Sequence, residues 1–216
     1  LSEETDQTLK ELGYEPAKSK VPQPRTSYVP QGRDAFQTPN YAVDLLIPFI
    51  PKNINMAWEP AAGGLKIVHR LLDKTNLDVI ASDVYPFDGV REHNFIDSSS
   101  NDYPGELEMD AVSLAIITNP PFSLKIDFYE KCLEYNIPFA LLIPADYAGW
   151  NINACKSLGC EKIIPTRRID YITPSGLSGA SGHTADFHSM WLTWGFGLGK
   201  TETFVELSLE DKKLNI

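Results

Sequence analysis

The run Ala115-Ile116-Ile117-Thr118 stops at Asn119-Pro120-Pro121-Phe122, and no other stretch restricts the fold as much. Proline has no amide proton and fixes φ, and a residue before proline is pushed to an extended conformation, so neither a helix nor a ladder can pass through this point. The run therefore reads as a buried strand that ends in a stiff, extended turn. The Asn119 amide and the carbonyls of that turn face no ladder partner, so they can accept hydrogen bonds from an outside amino group. Phe122 adds a flat face for a planar ring. Together these residues form a socket suited to an aromatic amine.

Upstream, Ile54 to Trp58 reads as a first strand and Glu59-Pro60-Ala61-Ala62-Gly63-Gly64 as a turn into a helix from about Leu65 to Asp73. Small residues at such a turn let a ligand approach backbone amides at a helix N-terminus. Leu77 to Asp83 follows as a second strand ending in a carboxylate. Strand, turn, helix, strand and terminal acid make the general nucleotide-binding unit, in which the acid takes ribose hydroxyls. A nicotinamide dehydrogenase is the competitor, but the turn lacks its G-x-G-x-x-G pattern. A short third strand is expected before His93.

Downstream, apolar spacing gives a helix over Leu124 to Tyr135, a buried strand over Pro138 to Pro144, a helix over about Ile152 to Leu158 and a strand at Lys162 to Ile164. Arg168 to Thr173 and Phe187 to Trp194 flank the Gly/Ser-rich stretch Pro174 to Gly182, a pattern that suits a terminal antiparallel hairpin with a mobile loop at the substrate mouth. Strands alternating with helices imply an α/β, doubly wound, mostly parallel sheet covered on both faces. Residues 1–32 are polar and broken by four prolines, which predicts a flexible N-terminal arm; 33–216 is expected to be one domain. Within it, Tyr41 to Ile50 has helical spacing, with Thr38 as N-cap and Pro39 at the first helical position.

Asn-Pro-Pro-Phe at 119–122 resembles the signature of S-adenosylmethionine-dependent methyltransferases that modify exocyclic or side-chain amide nitrogens, best known among adenine-N6 DNA methyltransferases. Phe36-Gln37-Thr38-Pro39 resembles their N-terminal cofactor motif, Glu59-Pro60-Ala61-Ala62-Gly63 their first cofactor motif, and Ala81-Ser82-Asp83 extends the likeness to phage-type adenine enzymes. The resemblance spans about Phe36 to Trp194 and implies the Rossmann-like methyltransferase fold, a seven-stranded sheet with an antiparallel last strand. It implies S-adenosyl-L-methionine held by Gln37, Thr38, Pro39, Glu59, Pro60, Ala61, Ala62, Gly63, Asp83 and Asn119, with Asn94 and Phe95 at its adenine, while Phe95 reads equally as a core residue. Asn119, Pro120, Pro121 and Phe122 would carry catalysis. One departure is plain: where the family has Gly-x-Gly, this chain has Gly63-Gly64-Leu65.

The substrate the resemblance favours is DNA, with RNA or protein glutamine as alternatives and a non-catalytic cofactor- or nucleic-acid-binding subunit as a reading from another class. Charge sits awkwardly with nucleic acid, because the chain carries a formal net charge of -10 and phosphate neutralisation supplies much of such affinity. From Asn119 to Lys200, however, seven basic residues face seven acidic ones, so the excess lies elsewhere. No separate target-recognition domain is recognisable, which leaves specificity to loops or a partner subunit. Nothing approaches a membrane span, the start is acidic, and the expected location is cytoplasmic. Cys132, Cys155 and Cys160 lack any CxxC spacing, so no metal site is expected, and His183 and His188 have no partner acid at a telling spacing.

Overall fold

The computed structural model describes residues 36–85, 89–99, 102–103, 113–172 and 187–214. The expected arm at 1–32 and the Gly/Ser-rich stretch Pro174 to Gly182 lie outside these residues. Among the described residues, eight strands make one sheet: β1 (Met56–Glu59), β2 (Asp78–Asp83), β3 (Arg91–Glu92), β4 (Leu114–Thr118), β5 (Phe139–Pro144), β6 (Glu161–Pro165), β7 (Ser189–Trp194) and β8 (Glu202–Val205). Their spatial order is β3-β2-β1-β4-β5-β7-β6-β8. Only β7 runs against its neighbours β5 and β6. This is the doubly wound α/β sheet of the Rossmann-like methyltransferase fold, with β8 added alongside β6 in parallel.

Both faces of the sheet are buried, which is why its central strands read as unbroken apolar runs. In β4 every residue is buried, and alternate side chains feed opposite layers: Ala115 and Ile117 one, Leu114 and Ile116 the other. The helices α1 (Asn40–Asp44) and α2 (Lys66–Lys74) supply Tyr41, Val43, Ile67 and Leu71 to the first layer. On the second face, α3 (Lys125–Tyr135) and α4 (Gly149–Leu158) supply Phe128, Tyr129, Cys132, Tyr135 and Ala154. A last helix, α5 (Leu209–Leu214), follows β8.

Two expectations are corrected. The helix expected over Tyr41 to Ile50 stops at Asp44, and a 3-10 turn at Ile47–Phe49 follows. Pro48 explains the break, because it has no N–H to continue the helical ladder. Pro39, not Thr38, takes the cap position, with ψ 150 and no side-chain capping bond. The terminal hairpin also differs: β7 pairs with Glu161–Pro165 rather than with Arg168 to Thr173. Among the described residues of the latter stretch, Ile169 and Tyr171 turn into the core, and Ile172 makes an isolated antiparallel bridge to Gln37.

Trp191 joins the sheet to α1. Its ring is fully buried, and its Nε1 donates to the Ala42 carbonyl at 2.8 Å. Trp191→Phe keeps an aromatic ring but leaves that buried carbonyl without this donor, and is expected to cost about 1–3 kcal/mol. Urea denaturation measures the loss; an unchanged midpoint would show that the bond contributes nothing.

Candidate active site at the carboxyl ends of the central strands

Winding reverses between β1 and β4, so the turns that leave these two neighbours diverge and open a crevice at their carboxyl ends. Glu59 closes β1 and Thr118 closes β4. The Glu59 side chain is only 1% exposed; its Oε1 accepts hydrogen bonds from the Thr118 hydroxyl and from the Ala61 amide, so one carboxyl oxygen pins both turns. Its Oε2 is buried without a hydrogen-bond partner among the described residues. Burial pushes this acid up from its ordinary value of 4.5 to about 8, and nearby Asp83 adds to the rise, while the bonds from Thr118 and Ala61 oppose it. At neutral pH Glu59 is therefore largely a neutral acid.

The turn from Glu59 to Gly64 is stitched to the end of β2. Ala62 N–H donates to the Ser82 carbonyl at 3.0 Å, and Gly63 N–H to Asp83 Oδ2 at 3.0 Å. Asp83 Oδ1 takes the Tyr85 amide at 3.0 Å, so the carboxylate expected to face ribose hydroxyls also organises its own turn. Gly63 has φ 44, and Leu65, where the family has glycine, adopts φ 60 and ψ 18. A left-handed conformation costs a non-glycine residue about 1–2 kcal/mol. The leucine thus takes up the strained backbone for which a glycine is usually needed. Pro60 is buried in the same turn.

The segment ahead of α1 lies directly over this turn. Gln37 Oε1 accepts from Gly64 N–H at 2.8 Å, while its main chain makes two bonds with Ile172 at 2.8 and 3.0 Å. Thr38 and Pro39 are buried behind it. From the other turn, Asn119 Nδ2 donates to the Phe36 carbonyl at 3.4 Å. Asn119 Oδ1 is buried and has no hydrogen-bond partner among the described residues. The structure therefore brings together Gln37, Thr38, Pro39, Glu59 to Gly63, Asp83 and Asn119.

Pro120 is buried behind Asn119, and the Pro121 carbonyl accepts Leu124 N–H at 2.8 Å as the chain turns toward α3. The Phe122 ring makes T-shaped contacts with Phe187 at 5.1 Å and Tyr171 at 5.7 Å, and Tyr171 stacks on Phe36 at 6.1 Å. Nothing in the sequence marks Tyr171 and Phe187 as neighbours of Phe122, because they stand far along the chain from it. Their only signal was position, at the two ends of the Gly/Ser-rich stretch. Asn94 and Phe95 are placed differently from one another. Asn94 is exposed and bonds locally with Asp97, whereas Phe95 is buried among Trp58, Phe128 and Tyr135. The Phe95 side chain thus belongs to the aromatic core behind β1.

An S-adenosylmethionine-type ligand fits the donor set. Among the described residues, Asn119 Oδ1 is a buried acceptor without a partner at the end of β4, where an amino group could use it, and beside it at the end of β1 stands Glu59 Oε2, which carries the proton of the neutral acid. The small residues Ala61 to Gly64 allow backbone to approach the ligand. His188 faces elsewhere, its Nε2 lying 2.6 Å from the Pro165 carbonyl. Among the described residues, no group of three His, Cys, Asp or Glu side chains could hold a metal ion, and no helix is long and apolar enough to cross a membrane.

No protein-family model matches the chain, and no curated protein does. Among solved structures it is similar to a chain assigned as the modification subunit of a type I restriction enzyme from Vibrio vulnificus YJ016, at 12% identity and TM-score 0.47 over 95% of this chain. A chain assigned as an RNA methyltransferase from Pyrococcus horikoshii has 12% identity and TM-score 0.43, covering 71% of this chain and 79% of its own. The 23S rRNA methyltransferase ErmE has 12% identity and TM-score 0.41, covering 70% of this chain and 66% of its own. This chain spans about half of the Vibrio chain, at 51%. Likenesses at this level carry no argument about activity, and the strand order stands independently of them.

The buried acid makes stability depend on pH. Native Glu59 holds its proton more tightly than the unfolded residue, so its contribution is complete below about 4.5 and is lost as pH rises through about 8. Glu59→Gln keeps a neutral side chain of the same shape and removes this titration. Urea denaturation at pH 6 and pH 9 should show the variant gaining on the wild type at the higher pH. A parallel decline in both proteins would mean that Glu59 is ionised in the native state.

Proposed function

We propose that the chain is an S-adenosyl-L-methionine-dependent methyltransferase acting on an exocyclic amino nitrogen, with adenine N6 in DNA as the leading substrate. The observation that carries this reading is the Asn119 side-chain oxygen, buried without a partner among the described residues at the end of β4 beside the Glu59 turn. An acceptor kept unpaired in a crevice has been desolvated already, so it gains most from a ligand that brings an N–H. The cofactor would supply an electrophilic methyl group. The Glu59 turn and Asp83 would hold that cofactor, and the amine lone pair would displace its demethylated form from the methyl group, with the surplus amine proton leaving to solvent.

In an aryl amine that lone pair is delocalised and poorly nucleophilic. Acceptance of one N–H by Asn119 Oδ1 and of the other by the Pro120 carbonyl pulls the nitrogen toward tetrahedral geometry. Both acceptors then stabilise the positive charge that grows as the bond forms. Phe122, steadied by Phe187 and Tyr171, gives the planar ring a surface to stack on. A base in duplex DNA would first have to leave the stack. Arg167 and Arg168 support a phosphate-bearing substrate, since both are exposed just past the end of β6, on the same rim as the crevice. The negative net charge favours help from a partner subunit in holding DNA, and RNA or a protein glutamine shares the same amine chemistry.

Incubation with methyl-labelled cofactor and separate DNA, RNA and protein pools tests the substrate class; label in DNA adenine is expected, and cofactor binding without transfer to any pool would favour a non-catalytic subunit. Asn119→Ala should lower single-turnover methylation by about 10²-fold or more while cofactor binding is largely kept. Phe122→Leu preserves the packing against Tyr171 and Phe187 but removes the flat face. It should weaken the hold on substrate by about 1–3 kcal/mol. An Asn119→Ala protein with undiminished methylation would remove the centre of the proposal.

A further inference from the structure

We propose that the Gln37 side chain, rather than holding the cofactor as the resemblance implies, is a latch on the glycine turn that stands in for the ligand's anionic end and must swing away when the ligand binds. This deepens the methyltransferase reading and rests on it. The Gln37 carboxamide lies over both glycines: a Cβ placed on Gly64 would come within 2.6 Å of Gln37 Oε1, and one on Gly63 within 3.2 Å of Nε2. That is the surface which the small residues of the turn would otherwise leave open to a ligand. The turn's amides are not idle in the free protein, since Gly64 N–H is held by Gln37 and Gly63 N–H by Asp83.

The two bonds differ in how easily a ligand could replace them. Asp83 holds both Gly63 N–H and Tyr85 N–H, so it belongs to the fixed framework of the turn. Gln37 is neutral, and its bond to Gly64 is exposed to solvent. A carboxylate is a stronger acceptor for an amide than a carboxamide oxygen, so an amino-acid carboxylate can take Gly64 N–H from Gln37. The main chain of Gln37 need not move, because two bonds to Ile172 hold it. Its side chain can therefore open and close against a fixed anchor, next to Phe36, whose carbonyl receives Asn119. Departure of the latch would clear the space between the glycine turn and the Asn119 turn without disturbing either.

The test measures amide hydrogen exchange at Gly64 in the free protein, and S-adenosylhomocysteine binding by calorimetry, for wild type, Gln37→Ala and Gln37→Glu. If Gln37 is a latch, Gly64 loses protection in Gln37→Ala, and that variant binds about 2- to 10-fold more tightly, the factor corresponding to one neutral hydrogen bond no longer broken. Gln37→Glu binds more weakly than wild type, because its carboxylate keeps the amide and repels the incoming anion. Weaker or equal binding by Gln37→Ala overturns the latch, as does unchanged exchange at Gly64. Absence of binding by all three proteins, with Gly64 protection still dependent on Gln37, overturns the methyltransferase reading itself and with it the exchange.

Discussion

One buried carboxyl group, that of Glu59, holds the site in register. Parallel pairing of β1 and β4 sets their ends side by side but leaves the turns beyond them free to diverge. Oε1 of Glu59 removes that freedom by taking the Thr118 hydroxyl from one turn and the Ala61 amide from the other. Burial favours the neutral form of this acid, since an ionised carboxylate is costly in so dry a place. The glycine turn and the Asn119 turn are therefore positioned by the same group, and the space between them has a fixed width.

Around that centre the remaining contacts act as braces from the flanks. Ser82 and Asp83 at the end of β2 hold the glycine turn from one side. Phe36 and Gln37 cross over from the segment ahead of α1, touching Asn119 and Gly64, and are themselves tied to Ile172. The aromatic group of Phe36, Tyr171, Phe122 and Phe187 draws three distant parts of the chain to the Asn119 side of the crevice. A rigid sheet with contacts converging on one edge suits chemistry that depends on positioning more than on titrating groups.

The sheet was legible because its strongest signals are local. Leu114 to Thr118 and Phe139 to Ile143 are continuous apolar runs, as strands buried on both faces must be, and the prolines after Asn119 announce their turn without ambiguity. Weaker signals misled. Tyr41 to Ile50 keeps helical spacing through Pro48, so the period suggested more helix than the backbone allows. The eighth strand passed unnoticed because Glu202–Val205 is short, lies at the sheet edge and exposes Phe204. Within the site, residue types were visible but contacts were not. Nothing in the sequence tells that Gln37 reaches Gly64 across 27 positions or that Asp83 is engaged by the turn it follows, and of the two places open to the Phe95 ring, core and cofactor, its contacts select the core.

The account turns on whether the crevice between the Glu59 turn and Asn119 is where the cofactor lies. A crystal structure of the full chain grown with S-adenosylhomocysteine decides this directly. The account predicts ligand density across the ends of β1 and β4, with the sulfur facing the Asn119 side chain and the amino-acid end over Gly63 and Gly64. Ligand bound at any other face of the sheet, or an empty crevice at saturating ligand, would contradict it.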